Sequence, residues 1–466
     1  MLYILTGCKT YKGHILNSNI AVPQTYLGNQ DTGTVANLKL DQFFKDSCLF
    51  QLIKTARIAN PDIQSALQRV EIAGANLQYS RSWLMPEVSF NASAGIEKFG
   101  DYTMNGVGNY DTNLSPNITD KQHIPNPTPE YFVGLRSSWE IDLWGKFHNK
   151  KKAAFTRFLA SRSAYKLAMT GLTAQVATSY YQLLALDNES RIIEENITLQ
   201  KNALEIIKIQ KLGGRATELA VQQFQAQLAR TQGLRYVTNQ LITETENKLK
   251  FLTGKFNEPI KRDTSISSLK LPTIFSAGVP SQLLLNRPDI REAELELGAM
   301  NADIDAARKA FLPSLTISPY IGYNAFSTAV LFNPVSLVYG LLGGITAPIF
   351  NRKKIKSNYA KTVAEGKQAL YNYQKVIFRG FMEVSNSLKG IDNYNHYYQF
   401  KKQEVKSLKN AVDVANDLFL VGRANYLEII TAQRNVLDAE LELANTKKDI
   451  FLNAINLYRA TGGGWK

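Results

Sequence analysis

Cysteine is almost absent from this sequence: Cys8 and Cys48 are the only two in 466 residues, so no disulfide framework holds the fold. Histidine is nearly as scarce. His14, His123, His148 and His396 lie far apart without metal-ligand spacing, and no phosphate-binding glycine loop or nucleophile motif occurs. An enzyme is therefore not expected, nor a catalytic residue, metal or cofactor. No apolar run approaches the roughly 20 residues of a transmembrane helix, so a membrane crossing would have to use strands. Proline is missing from 130 to 258 and again after Pro348, and nothing in those stretches interrupts a helix by removing a backbone donor. The net charge of +14 and pI of about 9.4 permit a nucleic-acid or anionic-membrane partner. The basic residues are spread along the chain, with short clusters at 146–152 and 352–356. A phosphate-gripping domain would concentrate them, and no nucleic-acid partner is expected.

At the start, Leu5-Thr6-Gly7-Cys8 has the pattern of a bacterial lipobox, in which the cysteine is lipidated. The residues before Cys8 are too few for the basic and apolar regions of a signal, so an upstream start or a trimmed signal is expected. The alternative is a chance cysteine in an apolar segment.

The sequence repeats itself. Residues 75–95, ANLQYSRSWLMPEVSFNASAG, lie over 302–322, ADIDAARKAFLPSLTISPYIG, with Arg81 on Arg308, Pro86 on Pro313 and Gly95 on Gly322. The offset is 227 (308 − 81). Residues 214–227, GRATELAVQQFQAQ, lie over 422–435, GRANYLEIITAQRN, at an offset of 208 (422 − 214). Two landmarks in the same order imply a duplicated unit of about 200 residues.

Each half reads helix, strand, loop, strand, long helices. In the strands, Val88, Phe90, Ala92, Ala94 and Ile96 alternate with polar or small residues. Val133, Leu135, Trp139, Ile141 and Leu143 alternate with Gly134, Arg136, Ser138, Glu140 and Asp142. Further strands are predicted at 314–324 and 337–349, each near the roughly 9–11 residues that cross a bilayer as a tilted strand. Residues 101–130 show no hydrophobic period and read as a long exposed loop. Residues 146–212 predict a helix about 100 Å long, returning over 216–252. Near the end, Leu437, Leu441, Ala444, Phe451 and Ile455 form one stripe, and Val436, Leu443, Ile450 and Leu457 a second. Two adjacent stripes suit a helix packed between two neighbours; an ordinary bundle core is the alternative.

The expected organisation is a partial lipoprotein signal over 1–8, an N-terminal segment with the first helices over 9–85, and a β-hairpin over 86–144. A helical hairpin over 145–253 follows, with a linker over 254–284. The second repeat has a helix over 285–312, a β-hairpin over 313–350 and a helical hairpin over 351–460, before a tail at 461–466.

All four helix–strand junctions carry aromatic and basic residues: Arg81 and Trp83; Trp144, Lys146 and 150–152; Arg308, Lys309 and Phe311; Phe350 and 352–354. Aromatic rings favour the bilayer interface and cations favour anionic headgroups. The reading is helix below a membrane and strand within it, against a soluble α+β protein with solvated basic helix ends. Four strands cannot close a barrel, and an open edge in lipid is forbidden. Three copies would give twelve strands. The faces bearing Arg136, Glu140 and Asp142 should line the lumen.

The chain resembles the TolC-type outer-membrane efflux proteins, in the lipoprotein branch paired with resistance–nodulation–division pumps. The resemblance covers nearly the whole chain and rests on LTGC at 5–8, WEIDLWGK at 139–146, LLLNRPDIREAE at 283–294, YLEIITAQR at 426–434 and ATGGGW at 460–465. It implies a homotrimer with a twelve-stranded membrane β-barrel and a long α-helical barrel in the periplasm. It implies a periplasmic adaptor and an inner-membrane transporter of the resistance–nodulation–division class as partners. The channel would be a passive conduit for small molecules, anchored in the bacterial outer membrane at Cys8. By the same resemblance Gly213, Gly214, Arg215 and Ala216, with Gly422, Arg423 and Ala424, are adaptor-docking tips. Asn425, Leu427 and Glu428 are placed at a periplasmic gate, where three Glu428 carboxylates would favour cations; a solvated tip glutamate is the alternative. Family members often carry Asp near position 220, which is Ala220 here, so Glu218 is the substitute for a polar lock between hairpins. The competing readings are a channel for protein secretion and a soluble basic coiled-coil scaffold.

Overall fold

The computed structural model describes residues 16–17, 21, 23–26, 33, 38–262, 264–269, 277–349 and 352–465. The lipidation site expected at Cys8, together with His14 and Phe350, lies outside them. Helices α1 (Leu40–Phe43), α2 (Ser47–Ala59) and α3 (Pro61–Ser82) precede strand β1 (Glu87–Glu97). Helix α4 (Met104–Asn113) comes before β2 (Thr128–Ile141), and α5 (Lys146–Leu212) and α6 (Glu218–Leu252) complete the first half. The second half runs α7 (Ser281–Asn286), α8 (Pro288–Lys309), β3 (Ser314–Ala325), β4 (Leu337–Thr346), α9 (Arg352–Leu420) and α10 (Tyr426–Ala460). The proline-free stretches are the long helices: α5 has 67 residues and α9 has 69.

The chain divides into two compact units. The first comprises the described parts of Met1–Asn17, Ile72–Phe158 and Glu296–Leu370. It holds an antiparallel sheet in the order β1-β2-β3-β4. Its helical part is joined by small residues, Ala153 of α5 against Ala299 and Ala302 of α8, which let the backbones approach. Arg157 fixes the pair by bonding to Asp303 at 2.6 Å and Glu296 at 3.3 Å.

The second unit comprises the described parts of Ser18–Glu71, Leu159–Leu295 and Tyr371–Lys466. Its core includes Leu49 and Ile53 of α2, Leu183 and Leu184 of α5, Leu249 of α6, Ile290 of α8, Val384 of α9 and Leu457 of α10. Each fully buried aliphatic side chain stabilises by about 1.5–3 kcal/mol. Asp46 begins α2 by accepting from the Cys48 and Leu49 amides at 2.8 and 3.2 Å, satisfying donors a helix start leaves open. The same carboxylate accepts from Tyr180 at 2.9 Å and Thr264 at 2.8 Å. Both stripes of α10 are covered: Val436, Leu437, Ala444, Ile450, Phe451, Ile455 and Leu457 are buried, and Leu441 and Leu443 half-buried.

The repeat is carried to atomic detail. Helices α6 and α10 have 35 residues each. Both end in Leu-x-x-x-Thr-Gly, with Thr253 and Thr461 each donating a hydroxyl to the leucine carbonyl four residues back at 2.9 Å. Gly254 (φ +66°) and Gly462 (φ +96°) then reverse the chain. A Cβ there would lie 2.8 Å from the Ala59 carbonyl oxygen and 2.5 Å from that of Asn286. Ala59 and Asn286 are themselves equivalent at the offset of 227. The change of offset from 227 to 208 also has a place. The β1–β2 connection spans 98–127 and the β3–β4 connection 326–336, and the first is longer by the whole of that difference (30 − 11 = 227 − 208).

Three local expectations are corrected. The stretch 101–130 is not wholly loop, because α4 forms within it, capped by Thr103 accepting from the Gly106 amide at 3.1 Å. The fourth strand stops at Thr346 rather than 349. The alternation expected to continue through Asp142 to Leu143 stops at Ile141, for a reason given below.

Candidate functional site: an amphipathic sheet and paired helix tips

Directly paired residues of antiparallel strands share a face, so register decides what each face carries. One line of partners crosses the sheet as Phe90, Leu135, Ile321 and Tyr339, and another as Ile141, Leu315 and Ile345. Apart from Ser137, opposite Val88, this face carries apolar and aromatic residues and is uncovered in the single chain, with Phe90 70%, Leu341 72% and Ile345 74% exposed. The opposite face carries Ser89, Arg136 and Tyr320 on one line and Glu140 and Thr316 on another. Among the described residues β1 pairs only with β2, and β4 only with β3, so each presents an edge of open backbone donors and acceptors.

On β4 the opposite face carries Val338 and Leu342; on β2 it carries Phe132, which is buried. Its seat is a pair of glycines, Gly134 opposite Gly322; a Cβ on either would come within 3.0 Å of the ring. The Arg136 guanidinium lies over the other side of the ring, 4.4 Å from its centroid, a cation–π contact. Tyr320 lies in the same way against Gly340, its register partner. Both aromatic rings occupy space that a glycine leaves open, and Arg136 is held by a neighbour on its own strand.

At the β2–α5 junction, Asp142 has turned away from the strand. It accepts from the His148 amide at 2.8 Å, and its carboxylate is 2.6 Å from His148 Nδ1, so it caps the first turn of α5. That is why it is not on the face of Arg136. Glu140, by contrast, remains in β2 and pairs with Lys146. Trp144 Nε1 donates to the Pro313 carbonyl at 2.6 Å. Lys150 lies 5.1 Å from the Trp83 ring and Lys146 4.3 Å from that of Phe147. The basic and aromatic residues of this junction thus form one layer.

In the second unit the two helix tips close identically. Arg215 donates its amide to the Gln210 carbonyl, and Arg423 to that of Leu418, both at 2.8 Å. Gly214 (φ +70°) and Gly422 (φ +76°) precede them, which is a Schellman closure. The next helix begins at a cap in each case, Thr217 accepting from the Ala220 amide at 3.3 Å and Asn425 from the Leu427 amide at 2.8 Å. Glu428 completes a capping box by accepting from the Asn425 amide at 3.4 Å. Leu427 is exposed.

Glu218 does not reach the second hairpin. It pairs with Lys211 of its own and accepts from Gln222 at 2.7 Å. These bonds, Lys211 first, hold its carboxyl below the ordinary range. Ala220 is fully buried in an apolar cluster with Leu204, Ile207, Phe224 and Ile429. Where a polar lock was sought, the hairpins are joined by hydrophobic contact. Gln200 and Gln433, which the sequence analysis did not single out, are also buried.

Among the described residues no helix is long and apolar enough to cross a membrane, and no group of three or more His, Cys, Asp or Glu could hold a metal ion.

Comparison with known proteins finds a match to the family model described as outer membrane efflux protein over residues 52–255 and 279–463. The chain is 28% identical over 445 residues to the solvent efflux pump outer membrane protein SrpC of Pseudomonas putida, covering 95% of this chain and 91% of that one. It is 28% identical over 473 residues to the probable outer membrane lipoprotein SilC of Salmonella typhimurium, covering 100% and 97%. Among solved structures, one of CusC, described in connection with transmembrane channel formation, superimposes with a TM-score of 0.83 at 26% identity, covering 96% of this chain and 98% of that one.

Proposed function

This chain belongs to the outer membrane efflux protein family, and we propose that three copies of it close a twelve-stranded barrel and serve as a passive conduit for small molecules. The observation that carries the reading is the sheet: one face predominantly apolar across all four strands, the other predominantly polar on β1, β2 and β3, and, among the described residues, an open edge on each side. Lipid satisfies the apolar face but cannot satisfy an edge, where each unpaired backbone group costs several kcal/mol. Pairing β4 of one copy with β1 of the next removes every edge. Arg136 and Glu140 then face the lumen. A soluble scaffold would leave the apolar face in water.

In this reading the tips at Gly213, Gly214, Arg215 and Ala216, and at Gly422, Arg423 and Ala424, dock a periplasmic adaptor, and an inner-membrane resistance–nodulation–division transporter supplies the energy. Asn425, Leu427 and Glu428 stand at the periplasmic gate. Cys8 is the lipid anchor, a role supported by the likeness to SilC, whose name describes an outer membrane lipoprotein. The cargo is small and chosen upstream, since the proposed conduit selects weakly.

The test is purification from detergent-extracted outer membranes followed by single-particle imaging. A three-fold particle with a membrane-embedded barrel is the expected result. A monomer recovered without detergent would overturn the barrel and with it the conduit.

A further inference from the structure

Closing the barrel joins β4 of one copy to β1 of the next, and the two edges favour one register. Facing limits the choice first. The apolar face takes the even positions of β1, Val88 to Ile96, and the odd positions of β4, Leu337 to Ile345. Directly paired residues share a face, and a slip of one residue would turn a whole strand over. Only registers two residues apart therefore remain. Strand length limits it next. β1 has 11 residues and β4 has 10. With Glu87 opposite Thr346, all of β4 is paired, as far as Leu337 opposite Ile96; a shift of two in either direction carries an end of β4 past β1. The strand tilt agrees with this register. Partners run from Ser89 through Arg136 and Tyr320 to Gly340. They then reach Ser93 of the next copy, four residues along (93 − 89) after four strands. At roughly 3.4 Å per residue and 4.8 Å per strand, the tilt is about 35°, within the 35–45° of membrane barrels. Slips of two or six residues would give about 20° or 47°.

The side chains fit the same register. Across the apolar face it sets large against small: Phe90 opposite Gly343, Leu341 opposite Ala92 and Tyr339 opposite Ala94. A shift of two would set Phe90 against Ile345 and Ala92 against Gly343 in one direction, and Phe90 against Leu341 in the other. This sheet already seats aromatic rings at glycine. A Cβ on Gly340 would lie 2.4 Å from the ring of Tyr320, its register partner, and one on Gly134 or Gly322 would lie 3.0 Å from Phe132. Phe90 and Gly343 are the two open halves of one more such pair: a Cβ on Gly343 would meet nothing within 4 Å, and Phe90 is 70% exposed. We propose that β1 and β4 of adjacent copies pair with Glu87 opposite Thr346, and that the Phe90 ring of one copy fills the space over Gly343 of the next. This pairing rests on the barrel reading and specifies the contact through which the copies recognise one another.

Disulfide formation between copies tests it, in the full chain in outer membranes with Cys48→Ser as background and single-cysteine controls to account for Cys8. Ser89 lies opposite Gly344 in this register, and opposite Leu342 or Thr346 in the registers two residues away. All four positions belong to the lumen face, within reach of an aqueous oxidant. Directly opposed Cα atoms lie about 4.5–5.5 Å apart, within disulfide reach, and diagonal ones about 7–8 Å apart, beyond it. Ser89→Cys with Gly344→Cys should therefore link copies at least about tenfold faster than Ser89→Cys with Leu342→Cys or with Thr346→Cys. Ala94→Cys with Tyr339→Cys reads the same register on the lipid face if the first pair does not assemble. A faster link at Leu342 or Thr346 would overturn the register and leave the barrel standing, as would a trimer seen by imaging in which no pair links. A monomeric parent with no link in any variant would overturn the barrel itself, and the register with it.

Discussion

Asn60 and Arg287 occupy equivalent positions in the two halves, related by the same offset of 227, and both donate to the last carbonyl of a long helix, Asn60 to Leu252 at the end of α6 at 3.0 Å and Arg287 to Ala460 at the end of α10 at 2.8 Å. Each also anchors the helix that follows it. Asn60 caps α3 through the amides of Asp62 and Ile63, and Arg287 grips Asp289 at the start of α8 with two bonds of 3.0 and 2.7 Å. Asparagine does this without charge. Arginine brings one into a buried place, where burial disfavours it and Asp289 and Glu383 more than restore it.

The two substitutions should therefore differ. Asn60→Ala loses a cap and one bond, about 1–2 kcal/mol. Arg287→Met leaves Glu383 and Asp289 without their buried partner, and breaking such a pair costs about 3–5 kcal/mol. Chemical denaturation of the detergent-solubilised protein should rank Arg287→Met well below Asn60→Ala; equal losses would mean that the charge has no structural part.

Leu135→Arg places a cation on the apolar sheet face and should cost about 2–4 kcal/mol in a membrane. Ser138→Arg, on the opposite face of the same strand, should cost little. Recovery of folded protein in lipid vesicles measures both, and an equal response would reverse the assignment of the faces.

Glu428 holds a capping box that glutamine can also complete. Glu428→Gln should leave the melting temperature unchanged while lowering cation preference in planar-bilayer conductance. Glu428→Ala should lose both, with about 0.5–1 kcal/mol of stability gone with the cap. Unchanged ion preference in the glutamine variant would remove Glu428 from the gate.

Glu189 accepts from Asn445 at 2.8 Å. Its pKa is raised because burial outweighs the opposing help from Lys448 and Asn445. A carboxyl raised in the folded state costs stability once pH exceeds its folded pKa, and the cost disappears as pH falls and both states protonate. Glu189→Gln, which can still accept from Asn445, should raise the melting temperature near neutral pH. It should have no effect at or below about pH 4, near the ordinary carboxylate pKa.

What the sequence made legible were features with local causes. Alternation gave the strands because the pleat has a period of two, and the twin Gly-Arg-Ala segments gave the tips because only glycine takes the positive φ there without strain. The rest depends on distant partners. Phe132 looks misplaced on a polar face until Gly322, far along the chain, is paired with Gly134. Helix α4 has two glycines in its short length, a poor helical composition, and its Thr103 cap is not a hydrophobic signal. Asp142 follows the strand's alternation perfectly, yet the open amides of α5 claim it.

The extra length that sets the first half apart from the second falls in the β1–β2 connection, at the end of the strands opposite their junctions with α3 and α5. Beyond the sheet the halves keep step, with first arms of 67 and 69 residues, second arms of 35 each, and tips closed by the same bonds. An assembly of three chains would therefore have two symmetries. Its loops would recur every third of a turn, long alternating with short, while its tips would recur every sixth. A ring of six identical partner subunits could meet those tips with nearly one kind of contact, leaving the choice between odd and even sites to the few positions, such as Ala220 opposite Glu428, where the repeat has diverged.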